Sequence, residues 1–342
     1  MGSFNRSHAF SDLQAQRGLS LVELMISITI GLLILSAMAT LFANQSRMRS
    51  ELDKSSRMID NGRYTLEVLS ENLRLAGFYG SLNPASIALP GALPDPCSTT
   101  MSDIAAAIPL HIRGYDAAGA ADDASPPSCV PSLKTGSDIL VIRRVDTSDA
   151  VAQTAAVAGT PYLQASQCQY DAPTTPYKVD NTPVNFTLRQ RNCTTGSTTP
   201  YAELRRMMVQ IYYVDSENET GDGIPTLKRI ELGASGTLMI TPLVEGIEYM
   251  QVDYGLDSDS DGVADSYTTC SACTVTDWSN VMSAKISVIA RNIETSAGYT
   301  DTKTYALGLD GTYTPAAGDH YKRHAYTQVV RLVNPAGRRE TP

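Results

Sequence analysis

The segment DSDSDGVAD, residues 257–265, has the residue types and the spacing of a calcium-binding loop. Its carboxylates and the glycine that permits a sharp turn are Asp257, Asp259, Asp261, Gly262 and Asp265. The spacing matches the first nine positions of an EF-hand loop, in which position seven contributes its backbone carbonyl, here that of Val263. Thr268 stands where the EF-hand has a bidentate glutamate, and no flanking helices are predicted. We therefore expect structural Ca²⁺ of modest affinity here, and the alternative is an acidic hairpin that water solvates.

A single carboxylate, Glu23, interrupts the apolar run from Leu19 to Ala43. A charged side chain in hydrocarbon costs on the order of 2.5–3.5 kcal/mol on insertion scales, so it needs a reason. The run of about 25 residues makes a helix of roughly 37 Å, which is long enough to cross a bilayer. An ordinary secretory signal has a shorter apolar region with a small-residue cleavage site after it. Here the small residue, Gly18, comes before the apolar run, so an ordinary signal is a poor fit, and a plain signal anchor is the alternative.

All six cysteines follow the apolar run and lie in loop-like sequence: Cys97, Cys129, Cys168, Cys193, Cys270 and Cys273. An even number of cysteines in such sequence predicts disulfides in an oxidising compartment, which places the C-terminal part outside the cytoplasm. Six cysteines allow 15 pairings, and pairing of neighbours is our hypothesis. A zinc site needs two close pairs, and only Cys270 and Cys273 are close together.

Catalytic patterns are scarce in the remaining sequence. His8 lies before the apolar run; His320 and His324 are four residues apart but precede a strand and lack a metal-ligand pattern, so we expect surface or packing roles for them and for His111. We expect no enzymatic activity. The net charge of −9 also argues against nucleic-acid binding, which needs a basic patch.

A helical pattern continues beyond the apolar run. Apolar or small residues recur every three or four positions at Met48, Leu52, Ser55, Ile59, Gly62, Leu66, Leu69, Leu73 and Ala76. This stripe predicts that an amphipathic helix extends to Gly77, a natural helix stop. Residues 78–135 are rich in Pro, Ala, Ser and Asp and predict long loops. Strand-like segments follow at 137–145, 206–214, 226–232, 246–254, 281–292 and 325–333, and several alternate apolar and polar residues. The predicted fold class is α+β: one long N-terminal helix packed on an antiparallel sheet.

The start of the chain, RGLSLVELMISITIGLLIL, resembles the class III leader of type IV pilins and type II secretion pseudopilins. The resemblance implies that prepilin peptidase cuts between Gly18 and Leu19 and methylates the new N-terminus, so that Glu23 becomes the fifth residue of the mature chain. In this family, that glutamate pairs with the N-terminal amine of a neighbouring subunit as the helices stack. The resemblance thus assigns 1–18 to a leader and 19–77 to a stem helix.

Further motifs resemble the PilW family of minor pilins: RYTLEVLSENLRLAGFYG, SDILVIRR, LVEGIEYMQVDYGLDSDSDG, NVMSAKISVIARN and YTQVVRLVN. The implied architecture is pilin-like, with 19–43 as the transmembrane and filament-core part, 44–77 as the amphipathic part and 78–342 as a β-rich domain. The implied function is to prime type IV pilus assembly and form the tip complex, hence twitching motility and cell adhesion. The implied location is the inner membrane, with a single span and a periplasmic C-terminal domain, and then the pilus tip of the fimbrium. The implied partners are other minor pilins, the major pilin, a pilus-tip adhesin and prepilin peptidase.

Two alternatives stay open at the level of sequence. A minor pseudopilin of the type II secretion machine uses the same leader chemistry. A membrane-anchored periplasmic enzyme or calcium-binding protein would need the stem only as an anchor, and an uncleaved N-terminus would favour it.

Overall fold

The structure is a computed structural model that describes residues 18, 20–116, 126–171, 175–194, 201–233 and 235–340. Most of the predicted leader, and Leu19 at the predicted cut, lie outside the described residues. The described part has a long N-terminal helix and antiparallel sheets, so the predicted α+β, pilin-like fold class is confirmed.

The elements that the structure describes follow one another along the chain. The α-helices are α1 (Leu21–Leu75), α2 (Met101–Ala106), α3 (Val275–Ser279) and α4 (Val333–Arg339). The strands are β1 (Ile112–Tyr115), β2 (Ile139–Val145), β3 (Tyr162–Ala165), β4 (Tyr177–Asp180), β5 (Leu204–Asp215), β6 (Thr226–Leu232), β7 (Leu238–Glu245), β8 (Ile247–Leu256), β9 (Ser266–Thr268), β10 (Val281–Arg291), β11 (Tyr305–Ala306), β12 (Thr312–Tyr313) and β13 (Arg323–Arg331). Short 3₁₀ segments lie at Pro84–Ser86, Gln153–Ala155, Pro183–Asn185 and Gly308–Asp310.

The chain divides into two compact units, Met1–Asp53 and Lys54–Pro342. In the first unit, the described part of α1 exposes its large apolar side chains, among them Leu21, Leu33 and Phe42. This helix is long and apolar enough to cross a membrane. A polar surface would be expected if water were its only environment, so the first unit is suited to a membrane or to a helix bundle.

In the second unit, one face of α1 packs into the core. Its buried residues are Met58, Gly62, Thr65, Leu69, Ser70 and Leu73. The predicted stripe is therefore correct at Gly62, Leu69, Leu73 and Ala76 and wrong nearer its start, where Met58 is buried and Ile59 is 37% exposed. Gly62 contacts Tyr326 on β13 closely. Met58 and Thr65, four residues before and three after Gly62, lie on the same side of the helix and therefore face the sheet.

Two principal sheets cover this helix face, where the sequence predicted one. In the first sheet, β1, β2, β5, β3 and β4 are neighbours in that order, while β6 pairs with β5 and β7; the second sheet has the order β13, β10, β8, β9. Strands β11 and β12 form a separate hairpin. The chain passes between the principal sheets at Gly246, which has φ +75° and separates β7 from β8. A side chain there would come within 2.7 Å of the Arg291 carbonyl oxygen, so the turn requires glycine.

One buried apolar cluster joins α1 to both sheets, through residues such as Leu69, Ile142 and Ile286. A second cluster lies around Ile108, Val141 and Tyr213, on the other face of the first sheet. The first sheet is therefore buried on both faces, which explains why β2 is apolar at most positions and does not simply alternate.

All six predicted strand segments are strands in the structure, with ends shifted by at most two residues. The region 78–135 has more regular structure than predicted, since it contains α2 and β1. Both elements are short, and a segment of four to six residues offers too few positions for a periodic pattern to emerge.

Candidate functional site

The predicted processing site lies just before α1. Gly18 is exposed, and a side chain added there would meet no described atom within 4 Å. Packing within the described chain therefore does not require glycine at this position.

Glu23 lies in the first turn of α1, with its side chain exposed among exposed apolar residues. A carboxylate in the first turn interacts favourably with the positive end of the helix dipole. Its backbone carbonyl accepts a hydrogen bond from the Ser27 hydroxyl at 2.7 Å, which keeps this polar group within the helix. The helix thus presents one outward carboxylate near the end where a new amine would be created.

The acidic segment 257–265 forms the loop between β8 and β9. Oxygens of Asp257, Asp259 and Asp265 lie within 4.8 Å of one another. Asp261 instead accepts the Val263 N–H at 2.7 Å. The structure thus brings together three of the four predicted carboxylates and turns one oxygen of the fourth back onto the loop.

Arg339, at the end of α4, holds this loop. Its guanidinium donates to Oδ2 of Asp257 at 3.0 Å and to Oδ1 of Asn280 at 2.6 Å. Gly262 has φ +85°, and a side chain there would come within 2.5 Å of the Ala336 carbonyl oxygen. The loop is therefore seated against α4, a contact that the spacing of the aspartates did not reveal.

The charges of the loop are partly compensated. Burial raises the pKa of Asp257, but the Arg339 guanidinium and the N–H groups of Gly262 and Ser260 outweigh it, and the pKa is lowered. At Asp259 the Asp261 N–H lowers the pKa, but desolvation and the neighbouring carboxylates outweigh it, and the pKa is raised. Three converging carboxylates fit a hard divalent cation, although Arg339 competes for one oxygen of Asp257. Calcium at this loop stays a prediction.

The six cysteines form three disulfides between neighbours in sequence, as hypothesised: Cys97–Cys129, Cys168–Cys193 and Cys270–Cys273. The first two link cysteines that are 32 and 25 residues apart in the sequence. Crosslinks of this kind restrict the unfolded chain and hold loops that have little apolar core of their own.

Of the three described histidines, His111 is buried and His320 and His324 are exposed. Nε2 of His111 lies 2.7 Å from the Val281 carbonyl, and burial lowers its pKa to about 4. Nδ1 of His320 lies 2.5 Å from the Tyr299 carbonyl, and the His324 ring packs on Tyr326.

Sequence reasoning missed a second group of carboxylates. Oxygens of Asp116, Asp138 and Asp310 lie within 4.8 Å of one another, and the first two residues are buried. These residues are far apart in the sequence and belong to no motif. Only the pairing of β1 with β2, which places residues 116 and 138 opposite each other, could have suggested part of the group.

Two family models match the chain. The prokaryotic N-terminal methylation motif covers residues 13–39 and includes the Gly18–Leu19 bond and Glu23. The model of type IV pilus-assembly protein W covers residues 211–334, from β5 to the start of α4, including the acidic loop. No curated protein and no solved structure matches the chain at a significant level. A prepilin methylation motif on an apolar helix, followed by a match to type IV pilus-assembly protein W over the antiparallel strands from β5 onward, supports a type IV pilus minor pilin of the PilW family.

Proposed function

We propose that this chain is a structural minor pilin that prepilin peptidase processes at Gly18–Leu19, and that it then helps to prime pilus assembly and joins the complex at the pilus tip. The observation that carries the proposal is Glu23, an exposed carboxylate in the first turn of an apolar helix, within the methylation motif. After the predicted cut, Glu23 is the fifth residue of the chain, close enough to the new N-terminus to pair with the amine of a stacked neighbour.

The physical role of Glu23 follows from charge in hydrocarbon. Cleavage leaves an amine at Leu19, and both this amine and the Glu23 carboxylate are costly in a membrane unless each finds an opposite charge. When helices stack with an axial offset, the glutamate of one subunit meets the amine of its neighbour. The pair therefore sets the register of assembly and favours the stacked subunit over a lone helix in the membrane.

The proposed location follows from the helix and the disulfides. We place the chain in the inner membrane before assembly, with its C-terminal domain in the periplasm, where the three disulfides are stable. After assembly we place it at the pilus tip, in contact with other minor pilins, the major pilin and a tip adhesin. Its role there is structural, and we propose no catalytic activity.

The first test is the intact mass of the chain from membranes, with and without prepilin peptidase. Loss of residues 1–18 with gain of one methyl group, only when the peptidase is present, supports the proposal. An unprocessed chain, or one cut elsewhere, contradicts it. A processed chain whose deletion impairs protein secretion and leaves pili intact would favour the pseudopilin alternative.

Partner contacts are tested by site-specific photo-crosslinking from the β-rich domain in piliated cells. Crosslinks to other minor pilins support a place in the tip complex. Crosslinks only to the major pilin, spread along sheared filaments, contradict the tip location.

We further propose that the 257–265 loop binds Ca²⁺ weakly. The convergence of Asp257, Asp259 and Asp265 and the raised pKa of Asp259 support this, while the Arg339 contact limits the affinity. The expected role is to rigidify the turn between β8 and β9. Calcium-dependent protection of this loop from hydrogen exchange would support it, and unchanged exchange would contradict it.

A further inference from the structure

The second group of carboxylates joins segments that are distant in the chain. Asp116 directly follows β1 and Asp138 directly precedes β2, and since Tyr115 pairs with Ile139, the two aspartates lie opposite each other. Asp310 ends the 3₁₀ segment between β11 and β12. Oxygens of the three side chains lie within 4.8 Å of one another, with Asp116 7% and Asp138 2% exposed. Three carboxylates are therefore held together where water is largely excluded.

A buried hydroxyl faces the same place. Tyr254 on β8 is 2% exposed, and its hydroxyl has no hydrogen-bond partner among the described residues. The hydroxyl lies directly over Gly114, since a side chain on Gly114 would come within 2.0 Å of it. Gly114 and Asp116 are two apart on β1 and so share a face of the strand. The Tyr254 hydroxyl is thus aimed at the face from which the carboxylate group extends, and Oδ2 of Asp310 is likewise buried and without a described partner.

Electrostatics agree with this geometry. The pKa of Asp310 is raised to about 6, chiefly by burial, and the neighbouring carboxylates of Asp116 and Asp253 contribute to the rise. Burial also raises the pKa of Tyr254, and the carboxylates that add to the rise include Asp138 and Asp116. The hydroxyl and the carboxylates therefore lie close enough for the carboxylates to raise the pKa values of Tyr254 and Asp310.

The 3₁₀ segment is fixed from its other side. Asp253 accepts the Leu309 N–H at 3.1 Å and forms an ion pair with Lys285 at 3.2 Å. Gly308 has φ +67°, and a side chain there would come within 2.5 Å of the Asp253 carboxylate. The 3₁₀ segment is thus held against the Asp253 carboxylate, and it places Asp310 next to Asp116 and Asp138. Lys285 balances the charge of Asp253, but carboxylates held as close together as those of Asp116, Asp138 and Asp310 repel one another unless one of them takes up a proton or a cation binds among their oxygens.

We propose that Asp116, Asp138 and Asp310 bind a calcium ion, with the Tyr254 hydroxyl as a further oxygen facing the site. Clustered carboxylate oxygens are the ligands that Ca²⁺ prefers, and a flexible set from three separate segments suits its irregular coordination better than the strict octahedron of Mg²⁺. The ion connects the 3₁₀ segment next to the second sheet with the ends of β1 and β2 in the first sheet. It acts as a clamp between the two sheets and is distinct from the site proposed in the 257–265 loop.

The test uses the full chain in detergent, stripped of metal with EDTA and titrated with CaCl₂ in a calorimeter. Two matched variants separate the sites: Asp310→Asn changes the clamp, and Asp259→Asn changes the loop. We expect the wild type and Asp259→Asn to share a calcium-binding event whose affinity falls at least tenfold in Asp310→Asn. Without calcium, Asp310→Asn should melt above the wild type, because one of the repelling charges is gone.

Equal calcium binding in the wild type and Asp310→Asn would overturn the proposal, as would loss of all binding in Asp259→Asn. Binding of MgCl₂ without binding of CaCl₂ would overturn the assignment of calcium. If Asp310→Asn does not fold, hydrogen exchange of the wild type decides the question. Amides of Gly308–Asp310 should exchange at least threefold more slowly with calcium, and unchanged exchange would overturn the proposal.

Discussion

Gly62 of α1 lies directly against the ring of Tyr326 on β13. A Cβ atom on Gly62 would come within 2.2 Å of Cε2 of that ring, far closer than two atoms can approach. Glycine inside a helix costs about 1 kcal/mol relative to alanine, so a purely helical argument disfavours it here. Its presence allows the helix to approach the second sheet closely enough to bury Met58 and Thr65 on either side.

We therefore expect Gly62→Ala to destabilise the β-rich domain by about 1–2 kcal/mol, since overpacking outweighs the gain in helix propensity. Thermal unfolding of the purified chain, followed by near-ultraviolet circular dichroism, measures this. Gly31→Ala is the matched control, because a side chain there would meet no described atom within 4 Å. Adding Tyr326→Leu to Gly62→Ala should restore part of the loss. A more stable Gly62→Ala chain would show that the ring moves aside without cost.

Glu23 is expected to act in assembly and not in processing. Glu23→Ala should leave cleavage after Gly18 intact and reduce the recovery of the chain in sheared pili at least tenfold, because the amine of the neighbour loses its partner. Glu67→Ala is the matched control, since Glu67 is also exposed on α1 but lies in its amphipathic part. Mass spectrometry reports processing, and immunoblots of sheared fractions report assembly. Normal incorporation of Glu23→Ala would contradict the pairing role.

The predictions from sequence succeeded where a pattern extends over many residues. The stem helix and strands such as β8 and β10 have long repeats of apolar residues, and these follow from backbone geometry alone. The burial of Met58 instead of Ile59 was not predicted, because the helical pattern in the sequence carries no information about the contact between Gly62 and Tyr326. Arg339 could not be assigned to Asp257 either, since the two are 82 residues apart and only the packing of α4 brings them together.

The two candidate cation sites differ in the same way. The 257–265 loop was predicted because its ligands are local, and local spacing is visible in sequence. Asp116, Asp138 and Asp310 come together only after β1 pairs with β2 and the 3₁₀ segment between β11 and β12 packs against β8. A single sequence contains no signal that predicts such a tertiary contact.

His111 should make stability depend on pH. Burial, with added repulsion from Arg338 and Arg339, lowers its pKa from 6.5 to about 4, although the hydrogen bond to the Val281 carbonyl opposes this. On acidification the unfolded chain therefore binds a proton before the folded chain does. The contribution of His111 is complete above pH 6.5 and is lost as pH falls toward 4, by on the order of 3 kcal/mol.

His111→Gln should remove this component, because the glutamine amide can still donate to Val281 and does not titrate. Urea unfolding at pH 7.5, 6, 5 and 4.5 gives the free energy of unfolding for both chains. The difference between wild type and variant should shrink or reverse as pH falls. A constant difference across this range would contradict the assignment.

Arg323 is the centre of a buried ion network. Its guanidinium, which is 1% exposed, binds Glu248 at 2.5 Å, Asp319 at 2.7 Å and Asp301 at 3.2 Å. Arg323→Met should cost about 3–5 kcal/mol of stability, because buried carboxylates lose their counter-charge. Lys54→Met is the matched control: its partner Glu294 is 68% exposed, so a change below about 1 kcal/mol is expected. The free energy of unfolding in urea measures both effects. Similar losses in the two variants would show that the buried network stabilises the fold no more than an exposed ion pair does.

Arg339 and a cation should compete for Asp257. With the Asp310→Asn change present to silence the clamp, Arg339→Gln should lower the stability of the metal-free chain by about 1–3 kcal/mol, through loss of charged hydrogen bonds. The same variant should bind Ca²⁺ at the 257–265 loop more tightly, since an oxygen of Asp257 is freed and a nearby positive charge is removed. Arg331→Gln is the control, because Arg331 contacts the Gly262 carbonyl and Glu340 but is not hydrogen-bonded to Asp257. Melting curves with EDTA and with calcium should therefore differ most in Arg339→Gln. An equal calcium response in all three chains would contradict the competition, and no response in any of them would show that the loop is an acidic turn that binds no ion.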